Sequence, residues 1–149
     1  MVMQAMRWTS AALLVAALTS GTAAADPLTE AADRLAATIA PGARRGPDVL
    51  QGSGGKTDWN VTLTPGSCYW FVGTGTTALK AFCLYLWDPS NRRVGTRKPK
   101  GAQVTMTYCP STPGSYHVQG KVDGGGFYLV GVYSRPGQPG DYTEDGIVI

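Results

Sequence analysis

Apolar and polar residues alternate with a period of two through most of the chain after residue 58. Trp59, Val61 and Leu63 are interleaved with Asn60, Thr62 and Thr64, and Phe82, Leu84 and Leu86 with Cys83, Tyr85 and Trp87. Val104, Met106 and Tyr108 form a third such set, Tyr116 and Val118 a fourth. Successive side chains of a strand point to opposite faces, so each run predicts a strand buried on one side. The predicted strands cover residues 59–63, 68–72, 82–87, 103–108, 115–122 and 127–133, with a short hairpin partner at 93–96. Turn chemistry separates them. In Thr64-Pro65-Gly66-Ser67 and Thr112-Pro113-Gly114-Ser115 the proline presets φ and the glycine accepts a positive φ, and Asp88-Pro89-Ser90-Asn91 is a further turn. Short, regularly spaced strands of this kind predict an all-β fold, a jelly-roll-like antiparallel β-sandwich of about seven to eight strands, over residues 58–134.

Upstream the period changes. Leu28, Ala31, Ala32, Leu35, Ala36 and Ile39 form one helical stripe, with Asp26 or Thr29 as N-cap and Pro41-Gly42 as the stop. This predicts one short helix over residues 26–40, marginal alone and therefore packed on the domain or tethering it. Residues 41–57 read as a linker rich in glycine and charge, with at most a brief edge strand at Val49 and Leu50. The tail, residues 135–149, begins as a proline-glycine linker, and Ile147, Val148 and Ile149 are candidates for a last strand.

Residues 1–25 have the layout of a secretory signal peptide: Arg7, an apolar run over 11–18, and Ala23 and Ala25 before the expected cleavage point. The run is too short to span a bilayer, and the mature chain has no other transmembrane candidate. The expected location is therefore outside the cytoplasm, periplasmic or secreted. The formal net charge of +3 is small and identifies no partner.

Export changes the meaning of the cysteines, because disulfides persist in oxidising compartments. Cys83 shares a strand face with Tyr85 and Trp87, whereas Cys68 and Cys109 lie at strand edges beside proline-containing turns. A Cys68–Cys109 disulfide is therefore expected, leaving Cys83 as a free thiol or as the link of a homodimer. The cysteine spacing lacks a C-x-x-C pair and His117 is the only histidine, so neither a metal site nor another cofactor is expected.

Gly55-Lys56-Thr57 ends like a phosphate-binding loop, but the position of its first glycine is Leu50 and a strand follows where a helix is required. Catalysis lacks a recognisable constellation. His117 has the parity of an outward side chain, and Asp48, Asp58, Asp88 and Asp123 are placed in or near turns, where Asp caps backbone groups. The strongest charge feature is Arg92, Arg93, Arg97, Lys98 and Lys100, read as a loop after the strand that carries Tyr85 and Trp87. Five cations this close attract anionic polymers, with Tyr85 and Trp87 adding stacking; the alternative is a solvated hairpin whose charges deter edge-to-edge aggregation. For an exported protein the partners would be anionic polysaccharide, lipopolysaccharide or extracellular DNA. The expected function is a non-catalytic binding or accessory module, with a structural envelope protein that self-assembles or binds a protein partner as the alternative and a small secreted enzyme or inhibitor behind it.

The segments "DWNVTLTPGSCYWFVGTG", "FCLYLWDPSNRRV" and "YCPSTPGSYHVQGKVDGGGFYLVGVY" resemble the bacterial pre-peptidase C-terminal domain, in particular its stand-alone exported forms. The resemblance implies a jelly-roll-like sandwich with an accessory or binding role. Related domains carry an Asp-Leu-Asp-Leu-Tyr-Leu strand whose acidic residues serve calcium or local structure. Ala81 and Cys83 stand at those acidic positions, so the resemblance implies no calcium site here.

Overall fold

The computed structural model describes residues 25–143. The expected leader and the candidate strand at residues 147–149 lie outside this range, Ala25 apart. A helix, α1 (Ala25–Ile39), is followed by eight strands: β1 (Arg44–Ser53), β2 (Lys56–Leu63), β3 (Ser67–Gly75), β4 (Ala81–Trp87), β5 (Arg93–Arg97), β6 (Gln103–Tyr108), β7 (Gly114–Asp123) and β8 (Phe127–Pro136). They build two four-stranded sheets of order β1-β8-β3-β6 and β2-β7-β4-β5. The first strand pairs with the eighth, the second with the seventh, the third with the sixth and the fourth with the fifth, all antiparallel. The chain is a long hairpin, four strands out and four back, rolled into two layers, which is the jelly roll.

Two expectations need correction. Residues 41–57 are not a linker, since β1 spans most of them and pairs with β8. Its register shifts between Arg45 and Val49, around Gly46 and Pro47. Proline is tolerated on an edge strand at such an irregularity, and that broke the alternation. The tail is not a linker throughout. β8 runs to Pro136, and beyond it Tyr142 packs edge-on against Trp70 with ring centroids 4.8 Å apart.

The core lies between the sheets. Phe71, Val104, Met106, Tyr128 and Val130 point in from one, and Leu63, Phe82, Leu84, Leu86, Tyr116 and Val118 from the other. Large rings here need glycine opposite them. A Cβ on Gly120 would stand 3.0 Å from the Trp59 ring, and one on Gly73 would stand 2.6 Å from Val104 and 2.8 Å from Phe82.

A second apolar layer covers the outer face of sheet β1-β8-β3-β6. Ala32 and Ala36 of the helical stripe, with Ala40 just after the helix, are small enough for close approach and bury Trp70, Val72, Leu129 and Tyr133. Polar anchors fix the helix: the Tyr133 hydroxyl donates to Asp33 at 2.6 Å, Thr74 Oγ1 to the Leu28 carbonyl at 2.7 Å, and Arg135 to the Pro41 carbonyl at 2.8 Å. The expected disulfide joins Cys68 of β3 to Cys109 beside this layer. Closing a loop of 41 residues, it contributes about 3 to 4 kcal/mol by restricting the unfolded chain. Among the described residues no helix is long and apolar enough to cross a membrane.

Candidate functional site

Among the described residues, no helix lies over the outer face of the other sheet, β2-β7-β4-β5. Outward side chains fall into rows defined by register. Asp58, Gln119, Tyr85 and Thr96 form one row across the four strands, and Asn60, His117, Trp87 and Arg93 the next. On the other side of the Asp58 row, Lys56 is paired with Lys121 and Lys121 with Cys83. Three gaps of about 4.8 Å between strands make each full row about 14 Å wide.

Aromatic residues occupy the middle. Tyr85 and Trp87 alternate along β4 with the buried Leu84 and Leu86, as the period of two requires. Their ring centroids are 6.0 Å apart with planes at 33°. Trp87 meets His117 of β7 at 5.0 Å and 31°. Both ring pairs are tilted rather than edge-to-face, and each ring remains partly exposed, so the three form a strip across two strands.

A hydrogen-bonded group borders the strip. His117 Nε2 lies 2.7 Å from Asp58 Oδ1, and Gln119 Nε2 donates to the same oxygen at 2.9 Å. The bond from Gln119, then that from His117, hold the Asp58 carboxyl below the usual aspartate value. Asp58 stands on β2, not in the turn expected for it. Asp48 is likewise on β1. Asp88 does cap a turn: its carboxylate accepts the backbone N–H groups of Ser90 and Arg92 at 3.0 and 2.9 Å.

The five basic residues do not act as one loop. Arg92 is paired with Asp88 at 3.2 Å. Arg93 and Arg97 belong to β5, where a register shift opposite Leu86 and Trp87 turns them to different faces. Arg93 lies 5.9 Å from the Tyr85 ring centroid and Lys98 Nζ 5.8 Å from it, so both flank the strip. Arg97 instead lines a cavity of about 230 Å³ at the open edge between β5 and β6, with Met106 and Tyr108. Lys100 is held by its backbone bridge to Ala81. A bulge invisible in the sequence divides this cluster.

Cys83 is free and partly exposed, on the same face as Tyr85. Among the described residues no group of three or more His, Cys, Asp or Glu is arranged to hold a metal ion. Asp58, His117 and Gln119 escaped sequence analysis as a group because Asp58 and His117 are 59 residues apart. Outward parity was the available signal; the β2–β7 register that joins them was not.

No known family's profile matches the chain, and no curated protein does. Solved structures offer distant likenesses. A family GH115 4-O-methyl-α-glucuronidase with specificity for decorated arabinogalactans aligns at 10% identity and a TM-score of 0.39, over 68% of this chain and 17% of its own. An arabinose-bound GH51 α-L-arabinofuranosidase aligns at 11% and 0.34, over 70% and 23%. A carbohydrate-binding module from Cellvibrio mixtus lichenase 5A, in complex with cellotriose, aligns at 13% and 0.36, over 66% and 89%.

Proposed function

We propose that the protein is an exported, non-catalytic glycan-binding module that uses the uncovered face of sheet β2-β7-β4-β5. The observation that carries this reading is the strip of Tyr85, Trp87 and His117, partly exposed on an otherwise polar face. Sugars present an apolar C–H face and a rim of hydroxyls. Aromatic rings suit the first, since they offer a large apolar surface of low conformational entropy. Asp58, Gln119 and Asn60 suit the second: carboxylate and amide groups accept from and donate to hydroxyls. The face is shallow and displayed on strands, which favours holding a polymer over enclosing a reacting bond. The resemblance to the pre-peptidase C-terminal domain, with its implied accessory role, points the same way.

The test is calorimetric titration of the purified protein with a panel of soluble polysaccharides, beside Trp87→Ala and Tyr85→Ala. Saturable binding to at least one polymer, weakened about tenfold or more in Trp87→Ala without loss of folding, is expected, because Trp87 lies outside the core between the sheets and its loss costs only its contacts on the face. Absence of binding across the panel, or full affinity in Trp87→Ala, refutes the reading. Covalent dimerisation through Cys83 would cover the same strip. A disulfide-linked dimer that binds no glycan until Cys83→Ser frees the face would favour self-assembly.

A further inference from the structure

We propose that the glycan held by this face is acidic, and that its carboxylate or sulfate groups lie along Lys56, Lys121 and Lys98. The inference rests on the glycan-binding reading and specifies its ligand. Lys56 and Lys121 are direct cross-strand partners, both exposed. Like charges placed opposite each other on a sheet are destabilising, and an anion lying between them relieves the repulsion. The row continues through Cys83, the other partner of Lys121, to Lys98, which follows the last residue of β5. Lys98 also leans to within 5.8 Å of the Tyr85 ring centroid, and Arg93 approaches that ring to 5.9 Å. Cations therefore border the aromatic strip on two sides. Among the described residues none of these four cations has a carboxylate partner within ion-pairing distance. The neighbouring carboxylate, Asp58, is hydrogen-bonded by His117 and Gln119 and attracts Lys56 only weakly, without an ion pair.

The arrangement favours sparse charge on a sugar chain over a nucleic acid. Duplex DNA carries a negative charge for about every 1.7 Å of its axis and would set phosphates against the whole face. Here the middle row holds no cation and has the Asp58 carboxylate at one end. Acidic groups spaced along a chain can reach the lysine row and Arg93 while the uncharged parts of the sugars cover Tyr85 and Trp87.

The test compares matched ligands: oligogalacturonate against its methyl ester, and a sulfated against an unsulfated galactan oligosaccharide, each at low and physiological salt. The acidic form should bind about tenfold or more tightly, with an advantage that shrinks as salt screens the exposed lysines. Whichever pair shows the effect identifies carboxylate or sulfate as the group recognised. The triple variant Lys56→Gln, Lys121→Gln, Lys98→Gln should lose the preference, binding both members of each pair with equal, measurable affinity. Equal affinity of the parent for both members of each pair, or a preference that survives in the triple variant, overturns this inference and leaves glycan binding intact. Failure of all four oligosaccharides while a neutral polysaccharide binds overturns the inference alone, and absence of binding across the polysaccharide panel as well removes both. Duplex DNA bound more tightly than the acidic oligosaccharides overturns the inference in favour of a nucleic acid.

Discussion

The outer faces of the two sheets have opposite fates, and two tryptophans show it. Trp70 leaves β3 on the outer side of sheet β1-β8-β3-β6 and is completely buried under α1 and Tyr142. Trp87 leaves β4 on the outer side of sheet β2-β7-β4-β5 and stays partly exposed beside Tyr85 and His117. The strands differ in pattern accordingly. β3, "SCYWFVGTG", is apolar at both parities because the core lies on one side and the helix on the other. β4 and β7 bury one parity and expose polar and aromatic residues on the other. Burial yields roughly 25 cal/mol for each Å² of apolar surface, so an aromatic strip left open forgoes stability that a covering helix would have supplied. The first face is covered and stabilising; the second is left open, as the proposed binding role requires.

The largest expected difference separates those two residues. Trp70→Ala should destabilise the protein by about 3 to 5 kcal/mol, through lost burial and the cavity left behind. Trp87→Ala should cost only about 1 kcal/mol, the worth of its ring contacts with Tyr85 and His117, while weakening glycan binding. Urea denaturation of both variants measures the first quantity and calorimetry the second. A destabilisation by Trp87→Ala comparable to that of Trp70→Ala would make the open face structural and erase the distinction.

That contrast also explains what could be read from the chain. Alternation located β4, β6 and β7 closely, because one side of each must avoid water, and the alanine stripe of α1 was visible for the same reason. The edge strand β1 was not, because Gly46 and Pro47 occupy its irregular register and only Val49 and Leu50 are apolar in its middle. The disulfide followed from where the cysteines stand on their strands. The open face was legible in parts: parity marked Tyr85, Trp87 and His117 as outward. Their union with Asp58, Gln119, Lys56 and Lys121 depends on cross-strand register between distant segments, which local patterning does not encode. The division of Arg93 from Arg97 depends on a bulge in a five-residue strand.

A smaller effect tests the covered face by titration. Burial raises the ionisation of Tyr133 above the usual tyrosine value, and its hydrogen bond to Asp33 raises it further. In the core, burial pushes Tyr116 up to about 12. Both values lie above that of an unfolded tyrosine. The stability they contribute is therefore complete below about pH 10 and is lost as pH rises through the folded values. Denaturation series on the alkaline side should show that decline. Tyr133→Phe should lower stability at neutral pH by about 1 kcal/mol, the net worth of one partly exposed hydrogen bond, and should flatten the alkaline limb. Its glycan affinity at neutral pH should match the parent, since Tyr133 belongs to the other face. A large loss of binding would show that the two faces are coupled.

The smallest effect on stability is expected at Asp58, whose side chain is about half exposed on the open face. Because Gln119 and His117 depress its folded value, its favourable interactions are present above the ordinary aspartate value of 3.8 and are lost as pH falls through the lower, folded one. With an uncharged oligosaccharide, which has no titrating group of its own, affinity should drop as pH falls below that ordinary value. Asp58→Asn keeps the size of the side chain and removes the charge. It should leave the thermal midpoint nearly unchanged, weaken binding severalfold and abolish the acid limb. Calorimetry of parent and variant across the acidic range checks all three. If the variant binds as tightly as the parent and keeps the acid limb, the carboxylate is outside the binding surface, and the aromatic strip must act with other polar partners.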